Sequence, residues 1–287
     1  MATRSFITSD GADLSYVEEG DGAALVLLHG WSQSAEMFRH QIAEFSRTHR
    51  VLALDFRGHG ASPDAARGHR IYRFAADLAE FLDHAGVERA SVLGSSMGNS
   101  VLWAFIDLYG TARLDRLVFV DEPASVMRQV GMSDEDALDA GALFDGETML
   151  AVARQIASAE GHAAREGFLD AMITKGIPHD LRDVLLRINL RADPADIASL
   201  FVNHCAIDWR DLFARVDRPT LVIGGRVSHV NPRSQDWIHR QIPGSQLVVF
   251  EEAEGGAHFP FLEAPAAFNA VLARFLDAPA PVIEAAP

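Results

Sequence analysis

The sequence predicts an α/β fold: a mostly parallel sheet with helices on both faces and a helical insert. Three observations carry this expectation. Short apolar runs alternate with amphipathic segments along most of the chain, the pattern of parallel strands joined by helices. Several of the runs are apolar throughout rather than at every second position, as strands covered on both faces are. One long stretch, from about 124 to 211, shows no strand pattern at all.

The elements follow in order. Phe6 and Ile7, then Leu14, Tyr16 and Val17, flank the turn Ser9-Asp10-Gly11-Ala12 and read as an antiparallel pair. Ala24-Leu25-Val26-Leu27-Leu28 is the first buried parallel strand. Ser34 is placed to cap a helix over 35–47. Arg50 to Asp55 is the next strand and leads into the Gly-rich loop Arg57-Gly58-His59-Gly60-Ala61-Ser62-Pro63. Phe74, Leu78, Phe81 and Leu82 recur at helical spacing within 71–84. A short strand, 90–93, precedes a helix over 100–109, and 116–121 is a further strand. The alternation resumes with a strand over 220–225, a helix over 234–241, a strand over 246–250 and a helix over 265–276. The expected organisation is a core formed by 1–124 and 209–277, a helical cap over 125–208, and a disordered Pro/Ala-rich tail over 278–287. Such a cap would sit above the carboxyl ends of the strands, where open α/β sheets bind ligands.

Composition narrows the function classes. The 287 residues carry a net charge of −15, which argues against nucleic acid or an anionic membrane as a partner. Charged residues are 23% and hydrophobic residues 48%, values of an ordinary globular protein with a sizeable core. The single cysteine, Cys205, rules out an internal disulfide and sits in an apolar helical pattern, as a buried inert thiol does. No stretch has the length of a signal peptide's apolar region or of a membrane span, so the expected location is the cytoplasm. No zinc, Cys-x-x-Cys or dinucleotide-binding motif is present, so neither a metal nor a cofactor is expected.

One stretch carries chemistry directly. Gly94-Ser95-Ser96-Met97-Gly98 lies between a strand and a helix, the setting of a nucleophile elbow. Glycines on either side let the chain turn sharply, and Ser96 would project its Oγ above the sheet. A serine needs a base. Of the twelve histidines, His258 has the best support. It lies in Gly255-Gly256-Ala257-His258-Phe259, directly after the last strand and before the last helix. His29 ends a strand ahead of the nucleophile and is expected to shape the loop there. The backbone N–H groups of Trp31 and Met97 are candidates for an oxyanion hole.

Four ordered motifs together resemble the α/β-hydrolase superfamily. They are His29-Gly30-Trp31, Asp55-Phe56-Arg57-Gly58-His59-Gly60-Ala61-Ser62, the Ser96 elbow, and Gly256-Ala257-His258-Phe259. The resemblance covers about 4–124 and 209–277. The segments 103–110, 207–211 and 250–256 resemble a bacterial subgroup of esterase- and lactonase-like enzymes, some of them quorum-quenching N-acyl-homoserine lactonases. The fold implied is the α/β-hydrolase fold with a helical cap insert. The chain departs from the common pattern where many members carry the triad acid. The loop after 220–225 reads Arg226-Val227-Ser228-His229-Val230-Asn231 and holds no carboxylate. Certain dehalogenases and lactone hydrolases place the acid after the strand that follows the nucleophile helix. Asp121 matches that position, with Glu122 beside it as the alternative.

The implied activity is a cofactor-independent serine hydrolase that cleaves a carboxylic ester or lactone through an acyl-enzyme. The same triad also serves perhydrolases and carbon–carbon bond hydrolases, and hydrolase folds also serve as ligand receptors without catalysis. The insert is rich in Met127, Met132, Leu143, Phe144, Met149, Leu150, Ile156, Phe168, Met172 and Ile173. Most are expected in the core of the cap, with some facing down over Ser96. Such a surface suits a neutral small-molecule ester or lactone with an apolar acyl part, an N-acyl-homoserine lactone being the specific choice. Nothing in the sequence bears on the oligomeric state.

Overall fold

The computed structural model describes residues 3–63, 65 and 67–279. Eight strands form one sheet: β1 (Thr3–Ile7), β2 (Asp13–Glu19), β3 (Ala23–Leu28), β4 (His49–Leu54), β5 (Ala90–Ser95), β6 (Leu114–Val120), β7 (Thr220–Gly225) and β8 (Gln246–Phe250). Their order across the sheet is β1-β2-β4-β3-β5-β6-β7-β8. The first two pairings, β1 with β2 and β2 with β4, are antiparallel, and every later pairing is parallel. The expected α/β class and mostly parallel sheet are what the structure has.

Alternating residues of the central strands feed two separate cores, because successive side chains of a strand point to opposite faces. Val26, Leu28, Leu52, Val92, Phe119 and Val222 join one cluster. Leu25, Leu27, Val51, Leu93, Val118 and Ile223 join the other. This double burial is why these runs are apolar at every position. The helix α1 (Arg39–Phe45) packs into the second cluster through Ile42 and Phe45. The first cluster takes α2 (Ile71–His84) through Phe74, Leu78 and Phe81, and α3 (Met97–Tyr109) through Val101, Leu102 and Phe105.

Between β6 and β7 run α4 (Asp134–Ala140), α5 (Gly146–Ile156), α6 (Gly161–Met172), α7 (His179–Asn189) and α8 (Pro194–Cys205). Local signals account for several of their starts. Ser133 and Asp136 form a reciprocal capping box at α4. Asp145 caps α5, and Asp193 caps α8 ahead of a proline in its first turn. These helices divide between the two cores. Met149, Ile156 and Phe201 join the first, and Leu169, Met172 and Leu185 the second. After β7 come α9 (Pro232–Gln241), α10 (Pro260–Glu263) and α11 (Pro265–Asp277). Ile238 of α9 lies in the first cluster, and Phe268 and Leu272 of α11 in the second.

Several expectations need correction. Ser34 does not cap a single helix over 35–47. Its side chain makes no cap bond, and the segment begins as a 3₁₀ turn, Ala35–Phe38, before α1. The helix after Ser96 begins at Met97, not Ser100, because the elbow leads straight into it. β5 accordingly runs on to Ser95. Of the ten apolar insert residues, most of them expected in the interior, Leu150 is the one that is exposed, at 42%. The expected disordered tail lies outside the described residues from 280 onward. Among the described residues no helix is long and apolar enough to cross a membrane.

Candidate active site

Three residues other than glycine have positive φ among the described residues: Ser32 at 58°, Ser96 at 53° and Asp121 at 50°. Such conformations store strain and cluster where function requires them. All three lie on the connections leaving β3, β5 and β6. Ser96, between β5 and α3, has φ 53° and ψ −132°. The turn is braced from β6, whose Val120 carbonyl accepts from the Ser96 N–H and from Asn99 Nδ2, each at 2.9 Å. Gly98 permits the turn. A Cβ there would lie 2.2 Å from the Leu28 carbonyl oxygen. At Gly94 it would lie 2.6 Å from Asn99 Oδ1.

His258 follows β8 and is fully buried. Its backbone N–H donates to the Met172 carbonyl of α6 at 3.0 Å, so an inserted helix helps hold this loop. Asp121, at the end of β6, is also fully buried, and its Oδ2 accepts from His258 Nδ1 at 2.6 Å. The same oxygen accepts from Ser228 Oγ at 2.5 Å, and Oδ1 accepts from the Gly225 N–H at 3.1 Å. Ser228 Oγ itself accepts from the Val230 N–H at 3.1 Å, which turns its hydrogen toward Asp121. The loop that lacks a carboxylate therefore supplies one donor, Ser228 Oγ, and the end of β7 a second, the Gly225 N–H, to a carboxylate just after β6. Glu122 is not brought to His258. Its Oε1 meets His204 Nε2 at 3.2 Å and Ser100 Oγ at 3.3 Å.

His258 Nε2 is buried and has no hydrogen-bond partner among the described residues. Ser96 Oγ is not in hydrogen-bond geometry with it, and such contacts commonly tighten only when substrate is bound. The ring of His229 stands edge-on to His258, with centroids 4.5 Å apart. Burial, and to a lesser extent the adjacent His258, hold His229 well below the usual histidine range.

The segment from His29 to Gln33 passes directly beside the elbow. A Cβ on Gly30 would lie 2.9 Å from the Ser96 Cβ. His29 shapes this segment: Nδ1 donates to the Gly30 carbonyl at 2.8 Å, and Nε2 accepts from the Phe56 N–H at 3.1 Å. Burial pushes its pKa well down, so the ring is neutral. Trp31 Nε1 donates to the Ile197 carbonyl at 3.0 Å, and Ser32 Oγ to the Asn189 carbonyl at 2.5 Å. Both tethers reach inserted helices. Among the described residues the Trp31 N–H has no acceptor. The Met97 N–H opens α3 and so has none within the helix.

Ser96 lies in a small cavity of about 40 Å³. Trp31, Phe144, Phe168, Met172 and Phe201 form much of its wall, and Glu122, His204 and His229 are its other polar groups. Of the ten apolar insert residues, Leu143, Phe144, Phe168 and Met172 reach it. Leu143, Phe144, Phe168 and His229 also line an outer cleft of about 510 Å³. These four residues are common to both. Sequence reasoning did not single out His204, His229 or Gly225. Cys205 is buried, and burial raises its thiol pKa well above the usual range.

Comparison with known proteins agrees with this fold. The family model described as alpha/beta hydrolase fold matches residues 23–265. The structure of a bromoperoxidase from Bacillus anthracis is similar with a TM-score of 0.87 and 23% identity, over 96% of this chain and all of that one. The esterase RhEst1 from Rhodococcus sp. ECU1013 is 27% identical with a TM-score of 0.81, over 97% of this chain and 99% of that one. Est816, described as an N-acyl homoserine lactone degrading enzyme, is 23% identical with a TM-score of 0.76, over 94% of this chain and 99% of that one. With the family model covering most of its length and the sheet, elbow and connections in their expected order, the chain belongs to the alpha/beta hydrolase fold family.

Proposed function

We propose that this protein is a serine hydrolase that cleaves a neutral carboxylic ester or lactone through an acyl-enzyme, without a cofactor. The observation that carries the reading is the fully buried His258–Asp121 pair, 2.6 Å apart, near a serine on a strained elbow. Ser96 Oγ attacks the carbonyl carbon as His258 Nε2 takes its proton. His258 then returns that proton to the leaving oxygen, and water repeats the sequence to release the acid. Asp121 accepts from Nδ1, which leaves Nε2 as the basic nitrogen and stabilises the imidazolium that forms. The N–H groups of Trp31 and Met97 bind the developing oxyanion.

Residues 125–208 act in this reading as a cap over the core formed by 1–124 and 209–277. The outer cleft has the size of an ordinary ligand pocket, whereas the inner cavity is far smaller. Leu143, Phe144, Phe168 and His229 line both, so substrate passes them on its way from the outer cleft to Ser96. The apolar lining favours an acyl chain, and an N-acyl-homoserine lactone is the narrower proposal. Fluorophosphonate labelling and kcat/KM over p-nitrophenyl esters and acyl-homoserine lactones of rising chain length test both levels. Ser96→Ala should abolish labelling and lower turnover by several orders of magnitude. Folded Ser96→Ala with wild-type activity would sink the serine mechanism. Ester turnover without lactone turnover would remove only the lactonase reading.

A further inference from the structure

The cavity above Ser96 is mostly apolar, yet it contains a buried carboxylate and a buried histidine that the acyl-transfer scheme does not use. Glu122 is 3% exposed and His204 is 6% exposed. Asp121 already satisfies His258, so Glu122 has no place in that pair. Polar groups held in an apolar cavity fix the orientation of whatever binds there.

The hydrogen bonds around this pair run in one direction. Trp209 Nε1 has only a donor, and it donates to Ser100 Oγ at 3.2 Å. The one hydrogen of Ser100 is thereby directed to Glu122 Oε1, at 3.3 Å. Oε1 is an acceptor, so His204 Nε2, 3.2 Å away, carries the hydrogen that meets it. Gln235 Nε2 holds the Glu122 carbonyl at 2.8 Å and fixes the backbone beneath. The bond made by one ring nitrogen sets the tautomer of the other. In the neutral ring Nδ1 is then a bare acceptor. It is buried, and it has no partner among the described residues.

We propose that His204 Nδ1 reads a hydrogen-bond donor on the substrate, an amide N–H or a hydroxyl close to the scissile ester or lactone. The proposal rests on the serine hydrolase reading and goes beyond it by naming the polar feature the apolar pocket selects. Glu122 acts through His204 as a positioning residue. Trp209 and Ser100 set the direction of the chain.

The test compares two esters that differ by one group: the p-nitrophenyl esters of N-acetylalanine and of 2-acetoxypropanoic acid, in which oxygen replaces the N–H. The readout is the ratio of their kcat/KM values. A hydrogen bond of ordinary net strength gives a wild-type preference of about fivefold for the amide. His204→Phe should bring the ratio to within about twofold of unity. His204→Asn, with an amide oxygen near the position of Nδ1, should restore part of it. Glu122→Gln, whose amide can donate to Nε2 and reverse the tautomer, should lower the ratio as well. A purely structural role for His204 predicts equal losses on both esters and an unchanged ratio, which would overturn the proposal. A wild-type ratio of one overturns it without any variant, whether or not the Phe variant folds. If wild type turns over neither ester and takes no fluorophosphonate, the hydrolase reading fails, and this one with it.

Discussion

Asp121→Asn is the substitution that most directly separates the roles of the two adjacent carboxylates. The Gly225 N–H is a donor only and lies 3.1 Å from Oδ1, so the asparagine oxygen should stay on that side. The amide nitrogen then takes the place of Oδ2, facing His258 Nδ1 and Ser228 Oγ. A donor opposite Nδ1 favours the tautomer with hydrogen on Nε2. That nitrogen can then no longer accept the proton of Ser96. The corresponding change in a serine protease lowers kcat by about 10⁴, which is about 5.4 kcal/mol of barrier at about 1.36 kcal/mol per tenfold. The backbone should tolerate the change, because asparagine, like aspartate, accepts the left-handed conformation found at φ 50°. The assay is kcat on a p-nitrophenyl ester, with near-ultraviolet circular dichroism to verify the fold. Glu122→Gln, measured in parallel, should lose far less. A folded Asp121→Asn within about tenfold of wild type, or a Glu122→Gln equally impaired, would refute the reasoning.

Two further outcomes follow from the packing and the buried charges. Gly98→Ala should destabilise the protein by about 3 kcal/mol or more in chemical denaturation, because the new Cβ meets backbone atoms of Leu28 and His29 that cannot rotate away. A loss within about 0.5 kcal/mol would show that β3 and α3 are less tightly apposed than the structure has them. Burial holds His59 down at about 4, against an ordinary value of 6.5. The folded state thus binds fewer protons than the unfolded state between these values. The resulting stability is fully present above about pH 6.5 and is lost as pH falls through 4, by up to about 3 kcal/mol. His59→Gln should therefore lose less stability than wild type between pH 7 and 4. Parallel pH curves would show that His59 is not the neutral buried ring described above.

Much of the architecture was legible because its causes are local. Continuous apolar runs such as 24–28 and 221–223 mark strands buried on both faces, and the structure divides their alternate residues between two cores. Spacing within 71–84 was enough for α2, since one face of a helix repeats within the segment itself. The two glycines around Ser96 marked a turn that needs close approach, and Gly98 lies against Leu28 as that requires. The start of the helix after Ser96 and the 3₁₀ entry to α1 were missed. Both are set by what the preceding turn packs on, which no window of sequence contains.

The sequence by itself determined that a serine on a sharp turn and a histidine after the last strand belong to one sheet edge. The family resemblance put Asp121 first as the candidate acid and kept Glu122 beside it as the alternative, because adjacent residues share their local signals. Tertiary structure separated them. The positive φ at Asp121 turns its carboxyl to His258, Ser228 and Gly225, while Glu122 meets His204 and Ser100. In sequence Ser228 stands about where many relatives of the fold carry the acid, and His229 reads as an ordinary loop residue. Their significance arises only because β7 lies next to β6, which puts a hydroxyl from one connection against a carboxylate from another, 107 residues apart. The cavity at Ser96 has the same origin. Its wall combines Trp31 with Phe144, Phe168 and Phe201, and only long-range packing brings segments so distant in sequence to enclose one volume.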